Sequence, residues 1–294
     1  SNYVKNGIKL QEDLSDCDIL MGIKEVPVDM LIKEKKYFFF SHTIKKQPYN
    51  KQLLQEIVKN HIQLVDYETL IDANGKRVIG FGRYAGIVGC YNTFLAYGKK
   101  TNRYNLKLAH LLKDKYALEK ETSKIILPSN FKIILTGDGR VSQGAMEVLD
   151  LLGVKKISKS DFLNKDYDIP TYVQLLPIDY NHRIDGTISS KRDFYSYPRK
   201  YQSSILQYAM CADMLITGHY YAHNSPTILS KDDIRNLSFK IKVVGDISCD
   251  IDGPIACTIR SSTIDAPIYG YNPLTEKEDK YTKDHVLAIM AVDN

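Results

Sequence analysis

Phe131-Lys-Ile-Ile-Leu-Thr136-Gly137-Asp-Gly139-Arg140-Val141-Ser-Gln-Gly144 reads as a strand, a glycine turn and the start of a helix. The apolar run suits a buried strand, and Gly144 to Leu152 carries helical spacing. Gly137 and Gly139 permit a tight turn and close approach of the backbone to a pyrophosphate. Arg140 and Val141 continue the turn beside the phosphates, and the helix that follows would offer them its amide-rich, positive end. Gly144-Ala145 would let the helix lie close to the sheet. The third position of a strict GxGxxG is Ser142, so the match is relaxed, and such turns also serve simply to join strands to helices.

Further along, Val154-Lys-Lys-Ile157 reads as the second strand, and Met214–Thr217 and Ile241–Val244 as later ones. Asp161 follows Gly137 by 24 positions, a spacing that suits a carboxylate on the adenosine ribose of NAD. Its other reading is a helix cap, and Lys155, Lys156 and Lys159 complicate the local charge. NAD is the favoured cofactor and NADP the alternative. Thr217-Gly218-His219 follows a strand and would border the cofactor crevice. Gly245-Asp246-Ile-Ser-Cys-Asp250-Ile-Asp252-Gly253 gathers three carboxylates after another strand. The spacing is not that of an EF-hand loop, so a turn that caps backbone and recognises substrate or ribose is favoured and no metal is expected.

Toward the start, Asp18–Ile23 and Tyr37–Phe40 read as short strands that end at Lys24 and at Ser41-His42. Asn50–Asn60 has helical spacing, and His61–Val65 leads as a strand into Asp66-Tyr-Glu68. Strand, helix and strand in this order imply an α/β domain with a parallel sheet. Lys24, His42 and Glu68 then all fall at carboxyl ends of strands, where the active groups of such sheets collect. Asp72-Ala-Asn-Gly75 reads as a turn, and the small residues from Gly82 to Gly89 as a helix that packs closely and runs to about Tyr97. Residues 104–119 look helical, 276–284 look like a surface excursion, and Val286–Ala291 looks like a further apolar element. The organisation expected is a catalytic α/β domain over 1–95, a dinucleotide-binding α/β domain over 96–260, and a return segment over 261–294 toward the first.

Composition narrows the class. The chain has 294 residues, 44% hydrophobic and 26% charged, which suits a soluble protein with two cores. No apolar run reaches the roughly 18 residues of a membrane span. The net charge of +5 is dispersed rather than gathered into the basic stripe that nucleic acid demands. Five cysteines without a CxxC favour reduced thiols and a cytoplasmic location. Small molecules are therefore the expected partners, and the oligomeric state stays open.

Oxidising an amine requires removal of a proton, transfer of a hydride and hydration of an imine. Histidine, as a residue type, exchanges protons near neutrality, which makes His42 a candidate for such exchange. Lys24 suits it where desolvation and neighbouring positive charge lower its pKa. Glu25 or Glu68 would tune the pair, and Lys45 or Arg77 would hold a substrate carboxylate. Each also has a plainer reading, His42 as a hydrogen-bonded strand-end residue and Lys24 as a solvated surface lysine.

Lys24-Glu25-Val-Pro27, Phe39-Phe-Ser-His42-Thr-Ile-Lys45, Asp66-Tyr-Glu68 and Phe81-Gly-Arg-Tyr-Ala-Gly86 closely resemble the lysine-forming saccharopine dehydrogenases. They also resemble the lysine–ketoglutarate reductase region of aminoadipic semialdehyde synthase. The resemblance continues through Asp246-Ile-Ser-Cys-Asp250, Thr263-Ile-Asp265 and Met290-Ala-Val-Asp293, and reaches more distantly to alanine dehydrogenase and the nucleotide-binding part of transhydrogenase. It implies two Rossmann-like domains with parallel sheets and an interdomain cleft that holds substrate and nicotinamide. It implies Lys24 and His42 as the acid–base pair, Glu25 and Glu68 as tuning residues, and Lys45 and Arg77 as contacts to a dicarboxylic substrate. The implied reaction interconverts saccharopine with lysine and 2-oxoglutarate on NAD or NADP. An additional α/β segment normally opens the family, so the N-terminal domain is expected to be incomplete. Two other functions stay in view: oxidation of a smaller amino acid in the manner of alanine dehydrogenase, and a nucleotide-binding regulator without turnover.

Overall fold

A computed structural model describes residues 2–46, 48–75, 77–221, 224–251 and 253–292. The chain forms two compact units, 1–81 and 82–294. The division falls at Phe81, ahead of the expected boundary near 95, because the helix that starts at Gly82 packs into the second unit's core.

In the first unit, β1 (Ile19–Met21), β2 (Lys36–Phe39) and β3 (Gln63–Asp66) form a parallel sheet in that order. Helix α1 (Lys51–Lys59) crosses from β2 to β3. Its Leu53 and Ile57, four apart on one helical face, are buried with Tyr37, Phe39 and Ile62. The expected turn at Asp72–Gly75 is present, with Gly75 in the left-handed region and Ile71 bridged to Arg77.

The second unit is built on an eight-stranded sheet among the described residues. Its strands are β4 (Lys132–Thr136), β5 (Lys155–Lys156), β6 (Thr171–Leu175), β7 (Met214–Thr217), β8 (Val243–Asp246), β9 (Ile268–Asn272), β10 (Lys277–Asp279) and β11 (Leu287–Met290). The spatial order is β10-β9-β11-β8-β7-β4-β6-β5, parallel from β11 to β5 and antiparallel at β9 and β10. All five residues of β4 are buried, as a parallel strand covered on both faces requires. Alternation along it divides the core. Ile133 and Leu135 join Phe94, Leu95 and Val148 on one face, while Ile134 joins Phe162, Tyr208 and Leu229 on the other. Each such aliphatic side chain contributes roughly 1.5–3 kcal/mol by leaving water.

Helix α2 (Gly82–Thr101) lies against α3 (Arg140–Leu151). A Cβ on Gly86 would stand 1.9 Å from the Val141 carbonyl oxygen, and one on Gly144 1.9 Å from that of Arg83. Gly144 therefore serves helix–helix contact, not the helix–sheet contact expected of it. Residues from 261 onward supply β9, β10 and β11 to this unit's sheet, where a return segment was expected. The charged run at 276–284 is only partly an excursion, since Lys277–Asp279 pairs as an edge strand whose charges suit an exposed edge. The region 104–119 is helical only at Ala109–Leu111 and from Lys115 onward.

Candidate active site

In the first unit the strand ends carry the polar residues. Beyond β2, His42 takes a left-handed backbone (φ 54°) and opens a short 3-10 turn over Thr43–Lys45. Its Nδ1 donates a short hydrogen bond to the Glu25 carboxylate, and its ring stacks over Phe40 at 6.4 Å. Burial pushes the Glu25 carboxyl up, but the His42 hydrogen bond, its backbone contacts and the charges of His42 and Lys24 outweigh this and leave it below its ordinary value. Lys24 is exposed and lies within electrostatic reach of Glu25.

Asp66, at the end of β3, holds this arrangement. It accepts the Ser41 hydroxyl at 2.5 Å and the Glu68 backbone amide at 2.9 Å, and Ser41 also meets the Thr43 hydroxyl at 2.7 Å. The residues on either side of His42 are thereby tied to the neighbouring strand. Glu68 is buried, with one oxygen 3.7 Å from Arg77 and the other without a partner among the described residues. The structure thus joins His42 with Glu25 and Glu68 with Arg77. The Lys45 side chain lies outside the described part, as do Asp252 and Asp293. Asp66 and Ser41 were not singled out as supports; their signal was a polar residue immediately ending each apolar strand.

In the second unit, β4 marks the switch point, with β5 and β6 to one side and β7, β8 and β11 to the other. Gly137 has φ 92°, and a Cβ there would meet the Gly218 carbonyl oxygen at 2.4 Å. Beside Gly139, at the N-cap of α3, there is open space instead. Ser142, at the third motif position, is fully buried, and its hydroxyl lies within hydrogen-bonding distance of the Thr136 and Gly218 carbonyls (2.9 and 3.1 Å). A close backbone turn, room at the second glycine and the first amides of a twelve-residue helix at Arg140 and Val141 fit a pyrophosphate.

Beneath this turn lies a buried polar layer. Asp246 accepts the hydroxyls of Thr217 (2.7 Å), Ser248 (2.7 Å) and Thr258 (2.6 Å). With its carboxylate so engaged, Asp246 shapes the loop after β8, and Thr217 is committed to it. His219, 6% exposed, bonds the Thr136 hydroxyl through Nδ1 at 2.7 Å, and its Nε2 has no partner among the described residues. Burial pulls its pKa down to about 4 against the opposing charge of Asp246.

Asp161 does not stand at a strand end. It lies in the helix α4 (Lys159–Asn164), with its amide on the Ser158 cap and its carboxylate on Lys165 and Tyr167. The reason is topological. The spacing rule presumes that the second strand adjoins the first, but here β6 lies between β4 and β5. The Gly137 carbonyl instead accepts from Gln174 of β6 (2.9 Å), whose amide oxygen holds Lys156 of β5 (2.6 Å). Among the described residues no cluster of three His, Cys, Asp or Glu side chains could hold a metal, and no helix is long and apolar enough to cross a membrane.

Comparison with known proteins agrees with this architecture. Residues 1–88 match the family model for the alanine dehydrogenase/PNT N-terminal domain. The chain is 30% identical over 318 residues to the mitochondrial alpha-aminoadipic semialdehyde synthase of Rattus norvegicus, covering 92% of this chain and 33% of that protein. It is 38% identical over 72 residues to the saccharopine dehydrogenase [NAD(+), L-lysine-forming] of Candida glabrata, covering 24% of this chain and 19% of that one. An L-alanine dehydrogenase structure superposes on the full chain and on 70% of its own length with a TM-score of 0.53 at 13% identity, a likeness of fold. The chain is thus homologous to alpha-aminoadipic semialdehyde synthases and saccharopine dehydrogenases, and spans about a third of the length of the former.

Proposed function

We propose that this chain, a saccharopine dehydrogenase-like oxidoreductase by homology, interconverts saccharopine with L-lysine and 2-oxoglutarate through an imine. The observation that carries the reading is the His42–Glu25 hydrogen bond at the carboxyl end of β2. With Nδ1 donating to the carboxylate, Nε2 is the nitrogen that exchanges protons with substrate. Glu25 fixes the ring and stabilises the imidazolium formed when His42 takes a proton from the amine. Lys24 serves as its partner in proton transfer, and Glu68, one oxygen of which has no partner among the described residues, tunes the site. Arg77 and Lys45 hold substrate carboxylates, the guanidinium by its planar fork.

The second unit holds the dinucleotide, with the pyrophosphate over Gly137, Gly139, Arg140 and Val141 and the nucleoside side bordered by Thr217 and Gly218. Asp246 supports that border. When bound, the nicotinamide supplies the hydride acceptor or donor. Lys156, bonded to the uncharged Gln174 beside the glycine turn, supports NADP over the NAD first expected, since a cation favours a 2′-phosphate. Asp161, engaged with Lys165, is not assigned to the ribose. Five cysteines without a CxxC are compatible with the cytoplasm, although the rat relative is a mitochondrial protein.

The test follows NADPH and NADH oxidation with lysine plus 2-oxoglutarate, and with pyruvate plus ammonia in parallel. Lysine-dependent consumption supports the reading, while tight dinucleotide binding without turnover on either pair refutes it. His42→Ala is expected to lower turnover at least a hundredfold with cofactor affinity retained. Lys156→Glu is expected to weaken NADPH at least tenfold and leave NADH within a factor of two; equal losses would remove Lys156 from cofactor selection.

A further inference from the structure

The residue between the two turn glycines is Asp138, a carboxylate at the place assigned to a pyrophosphate. Like charges brought side by side cost binding, so this turn carries a group that repels the ligand it is shaped for. The space beside Gly139 is open, so no side chain covers the turn there. The cation that answers Asp138 stands to one side. It is Lys191, 53 positions further along the chain, whose Nζ donates to Asp138 Oδ2 at 2.8 Å.

Lys191 opens a six-residue helix, Lys191–Ser196, within the segment 177–203 that follows β6. Because β6 pairs with β4, this segment leaves the carboxyl edge of the sheet next to the glycine turn. Its own contacts brace it. Asn181–Arg183 pairs antiparallel with Tyr201–Ser203, and Arg183 and the Tyr201 hydroxyl both donate to Asp193, two residues beyond Lys191. Phe194 is buried edge-on against Tyr201, with ring centroids 5.2 Å apart. The backbone from which Lys191 reaches the turn is thereby fixed. Lys191 and Asp138 are each about half exposed, and an ion pair in that setting adds little stability. Its consequence lies in the charge that a phosphate meets. The hydrogen bond to Asp138 outweighs desolvation and raises the Lys191 pKa, so the ammonium stays charged.

We propose that Lys191 makes the glycine turn competent to take a pyrophosphate by cancelling the charge of Asp138, acting on the carboxylate and not on the phosphate itself. The inference rests on the dinucleotide site of the proposed function, and its test reads binding without lysine or oxo acid. NADH and NADPH are titrated into the full chain and followed by calorimetry. Lys191→Gln is expected to weaken both roughly tenfold, since it leaves Asp138 uncompensated. Asp138→Asn is expected to bind at least as tightly as the unaltered chain, and the double variant to return to within about threefold of it. Salt screens the repulsion, so the deficit of Lys191→Gln should shrink as sodium chloride rises from about 50 mM to about 500 mM. Unchanged affinity in Lys191→Gln overturns the proposal. So does a double variant as weak as Lys191→Gln, which would place Lys191 on the phosphate directly. If the unaltered chain binds neither dinucleotide, the cofactor site of the proposed function falls and this inference with it. Should Lys191→Gln fail to fold, Asp138→Asn decides alone, and binding weaker than that of the unaltered chain overturns the proposal.

Discussion

Acidification should destabilise the second unit through His219. Its imidazole is buried at the floor of the glycine turn, and burial lowers its pKa from 6.5 to about 4. In the unfolded chain the same group takes a proton near pH 6.5. Between these values the unfolded state binds the extra proton, so stability falls as pH falls from 6.5 to about 4 and is flat from this source on either side. At roughly 1.4 kcal/mol per pKa unit, the full span amounts to about 3 kcal/mol, and acidification to pH 4.5 forfeits most of it. Urea unfolding at pH 7.5, 5.5 and 4.5, with His219→Gln alongside, isolates the contribution. The variant lacks the imidazole, so the difference between the two slopes reports His219 together with its interaction with Asp246. The unaltered chain is expected to lose about 2–3 kcal/mol more than the variant across that range. Parallel pH dependences would show that His219 is not held neutral. Because His219 bonds Thr136 beside Gly137 and keeps its proton off in the folded protein until the pH nears 4, dinucleotide affinity should not change from this source before then.

Two glycines of the same region should respond oppositely to alanine. Gly86→Ala drives a methyl into the Val141 carbonyl and is expected to cost about 3 kcal/mol in urea unfolding. Gly139→Ala meets open space in the protein, so stability should move by no more than about 0.5 kcal/mol while dinucleotide affinity drops at least tenfold. Unaltered affinity there would place the pyrophosphate elsewhere. Asp246→Ala removes the acceptor of three hydroxyls and should destabilise by about 3 kcal/mol, with Asp246→Asn recovering part. Equal loss in both variants would mean that the charge, not the hydrogen-bond geometry, holds the loop.

Much of the architecture was legible because burial and periodicity coincide in it. Met214–Thr217 is apolar up to its final threonine, buried throughout, and forms a strand with the expected bounds, as a central parallel strand should. Leu53 and Ile57 announced a helix by spacing alone. Thr171–Leu175, in contrast, mixes Thr, Tyr and Gln with two aliphatics and was not read as a strand, yet it adjoins β4. Its polar residues are accommodated by partners remote in sequence, Gln174 by the Gly137 carbonyl and Lys156. Lys277–Asp279 was similarly obscured, since an edge strand carries charge and resembles a loop, whereas the apolar element read at Val286–Ala291 forms the buried strand β11.

The candidate site shows the same division between local and remote information. That Lys24, His42 and Glu68 lie just beyond strands followed from composition, because a parallel strand ends where apolar residues give way to polar ones. Which of them would pair did not follow, since Glu25 reaches His42 across adjacent strand ends, seventeen positions apart in sequence. Asp161 shows the cost of a rule applied without topology. A carboxylate at the right spacing reads the ribose only where the second strand lies beside the first, and here β6 lies between them. Spacing along a chain thus constrains a cofactor site through the order of the strands. In this sheet that order brings Gln174 and Lys156, not Asp161, into line with the glycine turn.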